Sequence, residues 1–289
     1  MGLLVNIPQI DIYSKVDGVK AILEKLSPFF QEQEEIILDF RNCHFISAEG
    51  IALIAGMKLI RDERGFITSI NMDTIDAPVK LILGKSKFLE LFGFKEEMYT
   101  GNTLPLYSQR RLCKEDVFNY IDSEILNRAE MPEMSNSLRK EIRRAFFEIF
   151  GNIFYHSESP IGGLVCGQVY PNSKEIQIVF YDGGIGIGKR VRKFEQSISS
   201  DIAAIEWALK RGTSTSSNLG ESRGLGLYLL CQFLRVNEGE LYIYANKGAI
   251  IERGGVRTPS ILPSNLIGTL IDMRIKVRND VKYTFAYEM

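Results

Sequence analysis

Glu148-Ile-Phe-Gly-Asn152-Ile-Phe-Tyr-His156-Ser157, then Asp182-Gly-Gly184-Ile-Gly186, then Arg223-Gly224-Leu-Gly226-Leu227 follow one another along the chain, and their reading decides the fold. Around the first stretch, Leu138, Ile142, Ala145, Phe146, Ile149 and Ile153 recur at helical spacing. They predict an amphipathic helix capped by Ser137 or Asn136 and running to about Tyr155. Glu148, Asn152 and His156 are spaced by four, so they project from one face of that helix. A carboxylate one turn from an amide can orient a water beside a bound cation. The polar edge of an ordinary amphipathic helix has the same spacing.

The second stretch closes a strand. Ile176, Ile178 and Phe180 alternate along one face of a strand and deliver Asp182 to its end, where Gly183, Gly184, Gly186 and Gly188 follow. Glycines let a planar base approach the backbone, and Asp182 can accept a hydrogen bond from its exocyclic amine. The third stretch ends a Ser/Thr/Gly-rich segment from Gly212 that suits a lid, and it opens a helix from Leu227. Amide groups at such a helix start bind phosphate, and Gly224 and Gly226 let the phosphate come close. Strands at 240–245 and 268–277 complete a sheet.

The surrounding chain sets limits. At 289 residues and 45% hydrophobic content it can form two domains with separate cores. A formal net charge of −1 gives no global electrostatic case for nucleic acid. Cys43, Cys113, Cys166 and Cys231 show no CxxC pairing and read as reduced thiols. No apolar run reaches the roughly 20 residues of a membrane span, and no secretory segment is evident at the start. A cytoplasmic protein with no membrane partner is expected.

Residues 1–107 alternate apolar strands with amphipathic helices. Val16, Val19, Ile22, Leu23 and Leu26 mark one helix, Ile36 to Phe40 a strand, and Ile51 to Arg64 a second helix that Ser47 can cap. Residues 108–136 form a polar connection around a helix from Glu115 to Ala129, closed by Met131-Pro132. This helix could pair with its copy in a homodimer or pack on its own domain.

The strand, the turn, the Gly50 helix start and Leu91-Phe-Gly-Phe94 resemble a STAS domain, the fold of anti-anti-sigma factors. Members of that family often carry Asp-Ser-Ser-Gly at the helix start, with the second serine accepting a phosphoryl group. Here the positions read Ser47-Ala48-Glu49-Gly50, so Glu49 replaces the acceptor. It reads either as a surface glutamate favoured by the helix dipole or as a fixed charge in place of phosphoserine.

Residues 137–278 resemble the GHKL ATPases, the group of gyrase, histidine kinases and anti-sigma-factor kinases, through Glu-x-x-x-Asn, Asp-x-Gly-x-Gly, a lid, Gly-x-Gly-Leu and a final Gly-Thr strand. The resemblance implies an α/β sandwich over 137–289, with helices on one face of a mixed sheet. It also implies ATP and Mg2+ as ligands. Glu148 would be the general base, Asn152 the magnesium ligand and Asp182 the adenine acceptor. Gly184 and Gly186 would form the adenine-side turn, Gly224 and Gly226 the phosphate turn, and Thr269 would support the adenine water network; His156 matches a histidine of kinase-type members. A P-loop is set aside, because Gly183-Gly-Ile-Gly-Ile-Gly188-Lys189 is followed by Arg190, which has no hydroxyl for magnesium. Alternating glycines also fail the dinucleotide pattern.

With no helical hairpin carrying a phospho-accepting histidine, autophosphorylation is not expected. The expected function is an ATP-binding regulatory protein, an anti-sigma-type serine/threonine kinase or ATPase with a STAS-like docking module and a regulatory protein partner. The alternative is a non-catalytic nucleotide sensor.

Overall fold

The computed structural model describes residues 2–9, 15–95, 101–213, 225–278 and 280–288, with the side chain of His156 excepted. Gly224 and most of the expected lid, residues 214–224, lie outside the described residues. The chain is a mixed α/β structure in which no described helix is long and apolar enough to cross a membrane. All four cysteines are free.

The N-terminal unit is built by crossovers. Strands β1 (Leu3–Asn6), β2 (Ile36–Asp39) and β3 (Thr68–Ile70) pair in parallel in that order. Parallel neighbours cannot be joined by a tight turn. Helices α1 (Lys15–Leu26) and α2 (Ala48–Glu63) make the connections, and α3 (Ala77–Lys85) follows, capped by the Asp76 carboxylate on the Val79 amide at 3.0 Å. Arg61, on α2, is fully buried and spends its guanidinium on Thr68 Oγ1 and on the carbonyls of Phe29, Glu32, Glu34 and Ile67. It thereby ties α2 to the loop before β2 and to the start of β3, and no donor is left stranded.

Strand β4 (Thr103–Gln109) straddles the expected boundary at residue 107 and pairs with β6 (Gly163–Tyr170). The second sheet continues through β7 (Glu175–Asp182) and β9 (Val256–Lys276) to β8 (Glu240–Arg253), in the order β4-β6-β7-β9-β8. The expected mixed sheet is therefore corrected, since every pairing among these five strands is antiparallel. Parallel pairing occurs in the N-terminal sheet and in a short pair between β5 (Glu133–Met134) and β10 (Lys282–Tyr283). β8 and β9 also extend well past the expected strands, as a hairpin turning at Gly254 and Gly255, both at positive φ.

Helix α4 (Lys114–Tyr120) runs into a π-helical turn, Ile121–Leu126. Helix α5 (Asn136–His156) is capped one residue earlier than expected, by the Ser135 hydroxyl on the Leu138 amide at 3.2 Å. Helices α6 (Gly186–Phe194), α7 (Asp201–Ala208) and α8 (Gly226–Asn237) complete the chain.

Strand alternation sends the two faces of the five-stranded sheet to different cores. Ile176, Ile178, Phe180, Ile271 and Met273 join α5 and α8, while Cys166, Val179, Tyr181, Tyr242, Tyr244 and Leu270 join α1 and α2. The expectation of helices on one face alone is corrected: α5, α7 and α8 cover one face, and α2 covers the other. That helix is buried nearly all round, from Ala48 through Lys58, as a helix between two sheets must be. Its closest approach is at Gly56, where a Cβ would stand 2.1 Å from the Tyr181 ring.

Candidate functional site

β7 ends at Asp182, opposite Thr269 in the ladder with β9. The Asp182 carboxylate takes the Gly184 amide at 2.8 Å. Burial pushes its pKa up to about 7, against the Gly184 amide and the Thr269 hydroxyl and amide, which favour the charged form. Two close approaches shape the turn. A Cβ on Gly268 (φ +88°) would lie 1.8 Å from the Asp182 carbonyl oxygen, and one on Gly184 would lie 2.0 Å from that of Ser157.

Three polar groups clamp the glycine turn to the sheet and to α5. The Ser157 carbonyl, at the end of α5, accepts from the Ile185 amide at 2.7 Å. The buried Asn246 side chain donates to the Ile185 carbonyl at 3.0 Å and accepts from the Lys189 amide at 3.1 Å. Thr269 Oγ1 accepts from the Ile187 amide at 3.0 Å. The turn is thereby converted into the first turn of α6, a helix that the four glycines did not announce.

The third stretch meets the first. Gly226, the first residue of α8, donates its amide to Glu148 Oε2 at 2.9 Å, and a Cβ there would come within 2.7 Å of the same oxygen. Only glycine lets α8 start this close to α5. Asn152 lies one turn further along α5 with an exposed side chain.

These elements surround an open cavity between α5, α6, the end of α7 and the start of α8. Its polar lining includes Glu148, Asn152, Ser157, Arg190 and Thr269, and its apolar lining includes Ile153, Phe180, Ile187, Trp207, Leu227 and Ile271. Of the expected site residues, Glu148, Asn152, Gly186 and Thr269 line this cavity. Asp182 and Gly184 do not line it; they are bonded to each other at the turn beside Thr269. His156 is the last residue of α5, and Gly224 lies outside the described residues. A second groove shares Glu148 and Asn152 and continues between α4, α5 and the start of α8.

Asn246 and Ser157 were not among the expected site residues. Asn246 could have been flagged as a polar residue interrupting the apolar strand Leu241 to Ile251, although nothing local shows what it binds. Glu49 is neither a surface residue nor an exposed charge. It is 1% exposed and accepts from Gln177 Nε2 at 2.5 Å and Arg274 Nη2 at 2.8 Å, on the face of the sheet away from the cavity. Asp272 flanks Arg274 on its other side at 3.2 Å, and burial pushes its pKa up to about 7, with Arg274 opposing and Glu49 reinforcing the shift.

Among the described residues no cluster of three or more histidine, cysteine or acidic side chains could hold a metal ion. Magnesium keeps waters and phosphate oxygens as ligands and needs few protein groups, so the single amide of Asn152 at the cavity is compatible with such a site. No protein-family model matches this sequence, and no curated protein matches it either.

Proposed function

We propose that the chain is an ATP-binding regulatory protein of GHKL type, a kinase or ATPase whose N-terminal STAS-like unit serves as a docking or sensing module. The observation that carries this reading is the meeting of three distant stretches around one cavity. Glu148 and Asn152 on α5 face the amide start of α8, and the glycine turn that follows Asp182 reaches the same cavity through Gly186, beside Thr269.

In this reading Asp182, in its ionised form, accepts from the adenine amine, and the glycines admit the ring edge. Leu227, Ile187 and Trp207 exclude water from the base. The Gly226 amide, which donates to Glu148, turns to the phosphates, which frees the carboxylate to orient the attacking nucleophile and take its proton. Magnesium, when bound, would neutralise phosphate charge, with Asn152 the side chain placed to hold it.

The sensor alternative has an observation of its own, since Glu148 caps α8 and that structural task alone would account for its placement. Transfer within the chain is opposed by Glu49, which lacks a hydroxyl and is buried under the second sheet. Titration with ATP and magnesium, read as a rise in melting temperature, tests binding. ATP labelled on its γ-phosphate then separates the cases: label on a partner protein marks a kinase, released phosphate an ATPase, and neither a sensor. No rise at any ATP concentration would overturn the nucleotide reading.

A further inference from the structure

An open groove of about 540 Å3 lies outside the cavity described above, between the end of α7, one side of α8 and the tip of the β8–β9 hairpin. Four of the residues that line it are cationic, Lys210, Arg211, Arg235 and Arg257. The chain as a whole carries a formal net charge of −1, so this concentration is local.

The two inner arginines are held in place. Glu252, only 3% exposed, takes Arg235 Nε on one oxygen at 2.5 Å and Arg257 Nε on the other at 2.7 Å. Each guanidinium is thus gripped at its inner edge, which leaves the η nitrogens at the outer end. Among the described residues Arg235 makes no η hydrogen bond, and Arg257 makes one long contact, Nη2 to the Leu209 carbonyl at 3.5 Å. A guanidinium fixed in this way loses little entropy when it binds an oxyanion, and its planar fork matches a carboxylate. Lys210 and Arg211, exposed and without ion pairs among the described residues, add mobile charge at the rim.

The single carboxylate of Glu252, which Arg257 also faces across the hairpin ladder, cannot neutralise the four cations that the end of α7, α8 and the hairpin bring together. We propose that this groove is a docking site for an acidic polypeptide segment, whose carboxylates are read by Arg235 and Arg257 and steered by Lys210 and Arg211. The donors are side chains spread around an open groove rather than backbone amides converging on one point. That arrangement fits several carboxylates in series better than one small anion. The site does not depend on the nucleotide reading, since none of these four cations lines the first cavity.

The test uses the full chain and a fluorescently labelled octaglutamate peptide, followed by anisotropy. Binding is expected to weaken roughly tenfold between about 0.05 and 0.3 M salt, as screened ion pairs do. It should weaken at least about tenfold in the Lys210→Glu/Arg211→Glu variant, with the melting temperature unchanged, because both side chains are exposed. Arg257→Gln should weaken it further, and a circular dichroism spectrum shows whether that variant is folded. The proposal is overturned if the peptide binds no better than a glycine-serine control, or if charge reversal leaves its affinity unchanged. It also fails if inorganic phosphate displaces the peptide at equal concentration, which would mark a small-anion site. Tighter binding of a single-stranded oligonucleotide would refute an acidic polypeptide as the occupant.

Discussion

Toward α5 and α8 the five-stranded sheet presents Ile178, Phe180, Ile271 and Met273, and the polar groups of interest gather at one end, where β7 stops. Toward α2 the same strands present Gln177 and Arg274 in mid-strand, both donating to Glu49 across the contact, with Asp272 beside Arg274 as its second carboxylate. The first face is an apolar floor with polar groups at its rim, beside an open cavity. The second carries a charge network in the middle of a buried contact, where pairing is costly to form and costlier to leave incomplete. Apolar packing would hold α2 anywhere along the sheet; the ion network fixes where it sits.

Breaking the second face should give the largest effect. Arg274→Met leaves Glu49 and Asp272 buried without their cation, and is expected to cost about 3–5 kcal/mol in urea denaturation. Replacing all three with apolar residues of similar volume should recover most of that loss. A triple variant as unstable as the single one would mean that the network stabilises the contact outright and does not merely specify it.

On the first face, Glu148→Ala is expected to retain ATP binding and to lose roughly 10²–10⁴ in turnover. If Glu148 serves only as a cap, turnover stays constant and stability falls by about 1 kcal/mol. Single-turnover kinetics alongside a melt decide between the two.

Asp182 sharpens the contrast through pH. Burial raises its pKa to about 7 in the folded chain, above the usual 3.8, so the folded state binds the extra proton. The stability it contributes is complete below about pH 4 and is lost as pH rises through about 7. Asp182→Asn should therefore gain on the wild type by up to about 1.4 kcal/mol per pH unit across that window, then level off. It should also lose ATP affinity. A stability difference that is flat with pH would remove the case for a buried, protonated carboxyl.

The smallest effect belongs to neither face. Ser135→Ala removes the cap of α5, for about 1 kcal/mol, and should leave nucleotide affinity unchanged, since the site lies near the other end of the helix.

Much of the first face was legible in the sequence because its determinants are local. The stripe from Leu138 to Ile153 fixed the burial of α5, and Gly183, Gly184 and Gly226 marked places where a side chain would collide. What was missed is nonlocal. Nothing near Asn246 shows that it clamps a turn 60 residues away, the hydrogen bond to Ile185 spanning 61 positions. Nothing near Thr103 shows that β4 pairs with β6 rather than with the strands before it. Glu49 was misread because an acid in the first turn of a helix is ordinary on a surface. The clue was in its own helix, where Gly50, Ala52, Ala55 and Gly56 alternate with Ile51, Leu53 and Ile54 and leave no polar side over the first turns. Such a helix needs cover on both sides.

The contact between Gly56 and Tyr181 bears on how the molecule can come apart. With α2 wedged between two sheets, its side chains belong to both at once, and neither unit owns a complete interior. A fragment starting at β4 would expose Val179, Tyr181, Tyr244 and Leu270 to water and strand the Arg274 guanidinium with half its partners. The N-terminal piece would equally lose the surface that encloses α2. Heat or denaturant should therefore melt the chain in one transition, and a protease should find no cut that releases two folded halves.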